Sequence, residues 1–458
     1  MSSRSVDPGD STRHVSVTQY GIWLFEQLHP GTAAYNNAGA VLLHGDLDEE
    51  ALAAAFEAVM RRHAPLRSRF EENDDGEVLA VVAPPAPTSV PFRVIDVSQS
   101  ANPGAAADDA ARGDWMRPFD LATGPVWRVL SIRIGPRDCM LVVTIHHICS
   151  DGASLGILFA EVETAYRAAR HGTSRPPAPA SVGYYDVIGQ REHGPGRADA
   201  DRAVQWWRAA LAGVPDGIDL DPLAVADRTP TDSTGAAVAV AVSGQEPNDF
   251  HDRCRRHGAS LFAGAAALLA IVLHLESGQL DIPLIVPVDT RDATSASLIG
   301  CFVNNVVLRL RVDPASTIGA SIADAGRAMT DAVAHSAAPF GRVVAEVGAG
   351  QSSSRMPFSN VALVHNNAPT GTADWAGLRL TRHEIPVAAV RYDLALAIGR
   401  GADGGLHGNL EYSSRFSVDV ARELARRWTT LVTVAVREPD TRIAELGALP
   451  RGDQRGER

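Results

Sequence analysis

The sequence contains few of the residues that hold small domains together through disulfides or zinc. Only 4 of its 458 residues are cysteines, and no two of them form a C-x-x-C pair. This spacing argues against a disulfide framework and against a cysteine zinc site, and it favours reduced thiols in a cytoplasmic protein. The cysteines are Cys139, Cys149, Cys254 and Cys301.

Basic residues are outnumbered as well. The chain has 42 lysines and arginines against 54 aspartates and glutamates, which gives a formal net charge of -12. Nucleic acids and anionic membrane surfaces require a basic protein surface. We therefore expect neither of them among the partners of this protein.

Long apolar runs are also missing. The longest, residues 261–275, is interrupted by His274 and is shorter than the roughly 20 residues of a membrane span, so it predicts a buried helix. Residues 1–14 contain no apolar core of a secretory signal and are interpreted as a disordered leader. These absences again favour a cytoplasmic protein.

The length of the chain exceeds that of an ordinary single domain and predicts two lobes. A stretch rich in proline, serine and glycine at 170–183 is the clearest break between them. Helical and strand patterns alternate on both sides of it, so both lobes are expected to be α/β. The predicted division is a leader at 1–14, an N-terminal lobe at 15–175, a C-terminal lobe at 176–450 and a polar tail at 451–458.

One short string combines several residues that can carry chemistry. The sequence 146–152 reads H-H-I-C-S-D-G; it follows a continuous apolar run at 139–145 and precedes apolar residues at helical spacing. The run predicts a buried strand and the spacing predicts a helix that begins near Asp151. A second helix is predicted at 48–63, with Asp48 as its N-cap. The histidines are thus expected at a strand-to-turn-to-helix junction.

The two histidines are expected to differ in role. Successive side chains on a strand point to opposite faces, so one imidazole is predicted to pack inward and the other to face an open site; the strand phase does not say which. An acid is favoured at a helix start, where the first N–H groups lack partners. An imidazole beside such donors suits acyl transfer, although a packed histidine and a capping aspartate form the structural alternative. A metal site is not expected, because neighbouring strand side chains diverge.

Further motifs follow one another in a fixed order along the chain. They lie at 16–37, 61–70, 146–152, 184–190, 286–309, 335–344 and 354–369. In this order, over about residues 16–450, the chain resembles the condensation domains of nonribosomal peptide synthetases. The resemblance implies an α/β fold of two chloramphenicol-acetyltransferase-like lobes in a V-shaped pseudodimer, with an active-site tunnel between them.

The resemblance also implies roles for individual residues. His147 is implied as the catalytic histidine, with Gly152 near the reacting carbonyl. His146, Asp151 and Arg291 are implied as structural members of the motif, and Asp151 is expected to form an ion pair with Arg291, with Arg67 as the competing partner. The residues expected along the substrate tunnel are Ala153, Ser154, Asn304, Asn305 and Ser359.

The implied reaction joins an acyl or aminoacyl thioester to an amine or an alcohol, giving an amide or an ester in natural-product biosynthesis. The donor is expected on the phosphopantetheine arm of a peptidyl carrier protein acting in trans, so no cofactor of the chain's own is expected. Residues 451–458 carry no adenylation or carrier motif, which favours a stand-alone enzyme, with enediyne pathways as one setting. Basic clusters at 253–256 and 422–427 are the expected docking candidates, each with a solvated helix face as its alternative.

Several positions depart from the usual pattern of the family and put the usual acceptor, a carrier-bound amine, in question. They are Gly21, Ala153, Asp289, Thr290, Asn305 and Gly341.

Two other functions are compatible with parts of the sequence. One is an acyl-CoA-dependent O-acyltransferase, which shares H-H-x-x-x-D-G but lacks the later motifs; the other is a non-catalytic condensation-like module that recruits partners.

Overall fold

The computed structural model describes residues 10–85, 90–172, 182–225, 234–348, 358, 360–366, 372–401 and 403–448. The chain forms two compact units. Unit 1 consists of Met1–Asp201, Asp289–Asn304 and Gly371–Ala388, and unit 2 consists of Arg202–Val288, Asn305–Thr370 and Ala389–Arg458. The expected division into two continuous lobes at residue 175 is therefore not what the structure shows. Two later segments, Asp289–Asn304 and Gly371–Ala388, belong to the N-terminal unit.

Unit 1 contains two sheets and the helices that pack on them. Its helices are α1 (Val17–Leu28), α2 (Glu49–Arg62), α3 (Pro103–Trp115), α4 (Gly152–Arg170) and α5 (Tyr184–Glu192), and α6 (Arg197–Ala210) crosses the boundary to unit 2. Its strands are β1 (Ser11–His14), β2 (Asn36–His44), β3 (Ser68–Glu72), β4 (Val78–Val82), β5 (Phe92–Asp96), β6 (Trp127–Arg133), β7 (Asp138–His146), β12 (Thr372–Trp375) and β13 (Leu378–His383).

Unit 2 is built on a single sheet. Its helices are α7 (Glu246–Arg256), α8 (Leu261–Ser277), α9 (Ile318–Ala334), α10 (Phe340–Val347) and α11 (Val418–Arg437). Its strands are β8 (Gly235–Val242), β9 (Asp281–Asp289), β10 (Val303–Arg311), β11 (Val361–His365), β14 (Leu394–Arg400) and β15 (Leu406–Ser413).

The large sheet of unit 1 has the order β12-β13-β2-β7-β6-β5, and the small one has the order β1-β4-β3. Strand β7 pairs antiparallel with both neighbours, and its register with β2 runs from Asp138 opposite His44 to His146 opposite Asn36. The six-stranded sheet of unit 2 has the order β10-β9-β11-β14-β15-β8. Strand β7 is thus a central strand, and its last residue is the first histidine of the motif.

The predicted local elements around the motif are confirmed. The apolar run at 139–145 lies within β7, and the helix expected after Asp151 is α4. The helix predicted at 48–63 is α2, and the Asp48 side chain accepts the Ala51 N–H at 2.9 Å. The helix buries an apolar face that consists of Leu52, Phe56, Val59 and Met60.

The apolar run at 261–275 forms α8, as predicted, and residues from Ala263 to Leu273 are buried in the core of unit 2. Within the described part of the chain, no single helix is long and apolar enough to cross a membrane, although α7 and α8 pass that test together as a pair bent by 94°. All of the cysteines are buried and free of disulfides. The described residues contain no cluster of three or more histidines, cysteines or acids able to hold a metal ion.

The cap of α2 gives a direct test of this local structure. Asp48→Ala removes an acceptor of the first helical turn, so it should lower the free energy of unfolding by about 1 kcal/mol. Asp46→Ala is the matched control, because that aspartate is exposed and lies outside the helix. Equal losses for both variants in urea denaturation would contradict the assigned cap.

Candidate active site

The two histidines of the motif lie in different local structures. Strand β7 ends at His146, and His147–Cys149 forms a single turn of 3-10 helix before α4 begins. The alternation of strand side chains therefore does not extend to His147, so the strand phase does not determine which imidazole faces the site. Both are buried, with 1% of His146 and 7% of His147 exposed. Their contacts, however, are different.

His146 is held by hydrogen bonds at both ring nitrogens. Its Nδ1 accepts the Ile148 N–H at 3.2 Å, and its Nε2 lies 3.1 Å from Oε1 of Glu26. The ring of Phe119 meets it edge-on, with centroids 6.0 Å apart. These contacts agree with the structural role expected for His146.

His147 is fixed through its backbone and through the edge of its ring. Its N–H donates to the Tyr35 carbonyl at 2.7 Å, and its Nδ1 lies 3.8 Å from Sγ of Cys301. The Tyr35 ring meets the imidazole edge-on, with centroids 6.1 Å apart. Within the same turn, burial raises the pKa of the Cys149 thiol well above its usual value, so this thiol stays protonated and is not a nucleophile.

Asp151 caps α4 and forms the predicted ion pair with Arg291. The two carboxylate oxygens accept Nη1 and Nη2 of Arg291 at 2.7 and 2.8 Å. They also accept the N–H groups of Ser154 and Phe302, both at 2.9 Å, and the Ser154 hydroxyl lies 2.8 Å away. Arg67, the competing candidate, instead donates to the carbonyls of Met60 and Ala83.

Arg291 lies in the segment Asp289–Asn304, which belongs to unit 1 although it was expected in the C-terminal lobe. Burial lowers the pKa of its guanidinium, but hydrogen bonds and the charges of Asp151 and Asp289 outweigh this, so that its pKa is raised overall. The guanidinium also donates to the carbonyls of Leu298 and Gly300, both at 3.2 Å. One charged side chain therefore ties this segment to the start of α4.

Two residues that depart from the usual family pattern strengthen this segment. Asp289 accepts the Arg291 N–H and its Nη1, both at 3.0 Å. The Thr290 hydroxyl donates to the Phe302 carbonyl at 2.6 Å and accepts a hydrogen bond from Arg191 at 3.1 Å. Asp289 and Thr290 thus add hydrogen bonds around Arg291. Their presence at these positions has a structural explanation that does not depend on the acceptor substrate.

The residues expected along the substrate path lie in unlike surroundings. Gly152 and Ala153 are exposed at the start of α4, whereas Ser154 is fully buried and its hydroxyl lies within the Asp151–Arg291 network. Asn304 is buried and belongs to unit 1, and Asn305 is half-buried and belongs to unit 2. Ser359 lies outside the described residues. The hydroxyl of Ser154 is thus bound by Asp151, Arg291 and the Gly300 carbonyl.

The sequence alone predicts no role for the polar side chains of α1 that support the turn His147–Cys149, the histidine turn. Gln19 is fully buried, and its side-chain amide donates to the Ile148 carbonyl at 2.8 Å. Its own N–H donates to the Ser16 hydroxyl in a capping box. The signal was present in the S-x-x-Q spacing of the first motif, because a capping serine fixes where the glutamine three residues later points.

Comparisons with solved structures define the fold class. The X-domain from teicoplanin biosynthesis superimposes with a TM-score of 0.82, 25% identity and coverage of 97% of this chain and 98% of that one. The starter condensation domain of the rhizomide synthetase RzmA, in a variant crystallised with C8-CoA, gives a TM-score of 0.80 at 22% identity and covers 95% and 97%. The fold is the two-lobed, chloramphenicol-acetyltransferase-like fold of condensation domains.

The sequence relatives agree. The model of the Condensation domain family matches residues 11–456, so this chain belongs to the condensation domain family. Phosphinothricin tripeptide synthetase PhsC of Streptomyces viridochromogenes is 28% identical over 96% of this chain, and malpinin synthetase of Mortierella alpina is 29% identical over 88%. The chain spans 41% and 5% of the lengths of these two relatives.

The buried ion pair gives the second prediction. Arg291→Met leaves the Asp151 carboxylate without its charged partner, so it should lower the free energy of unfolding by about 3–5 kcal/mol. Asp289→Asn is the control, because its side chain is half exposed and removes only a peripheral contact. If both variants unfold at the same denaturant concentration, the pair with Asp151 is not the one that holds the segment.

Proposed function

We propose that this condensation domain joins an acyl or aminoacyl group to an amine or alcohol nucleophile, with His147 assisting the proton transfer. The donor is a thioester on the phosphopantetheine arm of a carrier protein, and the product is an amide or an ester. The observation that carries the proposal is the placement of His147 in the turn between the central strand β7 and the start of α4. Family membership supports the reaction class.

The chemistry follows from the groups at this turn. The nucleophile attacks the thioester carbonyl, its N–H or O–H proton passes toward His147, and the C–S bond breaks as the leaving pantetheine thiolate takes up the proton to give the free thiol. Because Nδ1 of His147 faces the Cys301 thiol, we assign Nε2 to the proton transfer. Apart from the Ser154 N–H, which Asp151 accepts, the backbone N–H groups in the first turn of α4 lack intrahelical acceptors and suit an oxyanion. The chain itself supplies no cofactor in this scheme.

The chain spans a small part of its curated relatives, so the proposal concerns the reaction of this domain. The carrier-bound donor is offered to it as a separate protein, and amine and alcohol acceptors are tested in parallel. Formation of an ester would support a role in an enediyne-type pathway. Mass spectrometry of the released product then decides between ester and amide.

Two of the solved relatives favour specific alternatives. One was crystallised with C8-CoA, and an X-domain was crystallised in complex with OxyB from teicoplanin biosynthesis. A CoA-dependent acyltransferase would use an acyl-CoA as efficiently as the carrier-bound acyl group. A recruitment module would bind a partner protein and show no turnover with either donor.

The third prediction concerns His147. His147→Ala should lower the rate of acyl transfer by about 10²–10⁴-fold, because it removes the group that assists proton transfer. His171→Ala is the matched control, since that histidine is exposed at the C-terminal end of α4 in the same unit. Turnover of a folded His147→Ala protein at the rate of the control would remove His147 from the mechanism.

The basic clusters differ as candidates for docking the carrier. In α11, Arg426 and Arg427 bind Glu423, and hydrogen bonds from these arginines lower the pKa of that carboxyl to about 2. In α7, Arg255 and Arg256 are exposed in the last turn. We therefore propose α7 rather than α11 as the contact for the carrier protein.

The fourth prediction tests this contact. Reversing Arg255 and Arg256 to glutamate should raise the KM for the carrier-bound donor and leave a small pantetheine thioester unaffected. The effect should shrink as salt rises, because exposed charges are screened over about 8 Å at physiological ionic strength. Arg426→Glu in α11 is the control. Equal loss with both donors would show that the α7 arginines support the fold and do not dock the carrier.

A further inference from the structure

A buried carboxylate of α1 lies behind the histidine turn. Glu26 is 9% exposed, and its Oε1 lies 3.1 Å from Nε2 of His146, which is 1% exposed. The reaction scheme above gives Glu26 no role. A carboxylate buried this deeply needs a hydrogen-bonded partner, and His146 supplies it.

The hydrogen bond at the other nitrogen of His146 shows which tautomer the ring adopts in this structure. A backbone N–H can only donate, so Nδ1, which accepts the Ile148 N–H at 3.2 Å, must carry a lone pair. The proton of the neutral ring is then on Nε2, where it is donated to Glu26. A doubly protonated ring would place two donors face to face at Ile148. This contact is therefore a tautomer-selecting hydrogen bond and not an ion pair with an imidazolium.

Both backbone polar groups of Ile148, the residue after His147, are held by side chains that belong to α1 or are oriented by it. The Ile148 N–H is bound by His146, which Glu26 orients, and the Ile148 carbonyl accepts the side-chain amide of Gln19 at 2.8 Å. His147 lies between His146 and Ile148 in the chain. The turn that presents His147 is thus fixed from α1.

We infer that Glu26 is a positioning residue that selects the Nε2–H tautomer of His146 and so fixes the turn that carries His147. The effect on turnover rests on the proposed function, whereas the tautomer itself does not. Without an acceptor at Nε2, the buried Nε2–H of His146 loses its partner, and only the Ile148 N–H still disfavours a proton on Nδ1. The Nδ1–H tautomer, where it is populated, repels the Ile148 N–H and opens the turn.

The chain contains a matched pair for comparison. His63 is 3% exposed, its Nε2 lies 2.9 Å from Oε2 of Glu161, and its Nδ1 accepts the Ile299 N–H at 3.4 Å. This arrangement has the same chemistry but lies outside the histidine turn. Glu161→Leu is therefore the control for the loss of a buried carboxylate beside a histidine.

The first measurement is the tautomer of His146 by ¹⁵N NMR of ring-labelled histidine, assigned with His146→Gln. We expect Nε2–H in the wild-type protein and in Glu26→Gln, whose amide oxygen still accepts, and a population of Nδ1–H in Glu26→Leu that neither of them shows. Glu161→Leu should alter His63 alone. Wild-type His146 with a proton on Nδ1 would overturn the inference without any variant, so the test does not depend on Glu26→Leu folding.

The second measurement is acyl transfer by the same variants. Glu26→Leu should lower kcat by about 10²-fold through a displaced His147, with the KM for the donor unchanged, and Glu26→Gln should restore it. Wild-type kcat in Glu26→Leu, or equal losses in Glu26→Gln and Glu26→Leu, would contradict the positioning role. Absence of transfer by the wild-type protein would refute the proposed function and leave the NMR result to decide the tautomer.

Discussion

The Asp151 carboxylate is the interaction on which the rest of unit 1 around the motif depends. Burying a carboxylate is costly unless donors surround it, and here they come from two distant segments of the chain. Arg291 and the Phe302 N–H arrive from Asp289–Asn304, and Ser154 arrives from the first turn of α4. One charge therefore fixes both where α4 starts and how the later segment lies against it.

The histidine turn is held from the opposite direction. Gln19 of α1 binds the Ile148 carbonyl, and His146, which Glu26 of α1 orients, binds the Ile148 N–H. A short turn of three residues makes few hydrogen bonds of its own, so its geometry is set by these neighbours. His147 is thus positioned by these neighbours together with the contacts of its own ring with Tyr35 and Cys301, and proton transfer requires such a fixed position.

The local elements could be predicted from the sequence because their signals are local. The Asp48 cap, the apolar run of β7 and the spacing after Asp151 each lie within a few residues of what they determine. The burial of Ser154 could have been found too, since it shares a face of α4 with Leu158, Val162 and Tyr166 at intervals of four residues. The membership of β13 in the sheet of unit 1 could not have been predicted, because its pairing with β2 joins residues that are far apart in sequence.

Arg291 and Asp151 couple the histidine turn to the later segment, Asp289–Asn304. This coupling can be measured by hydrogen exchange of Arg291→Met, read by mass spectrometry on peptides covering 147–154 and 298–302. We expect both peptides to lose protection together, because the Ser154 and Phe302 N–H groups share one carboxylate. Loss of protection in 298–302 with 147–154 unchanged would contradict the coupling, because the turn would then be held without the ion pair.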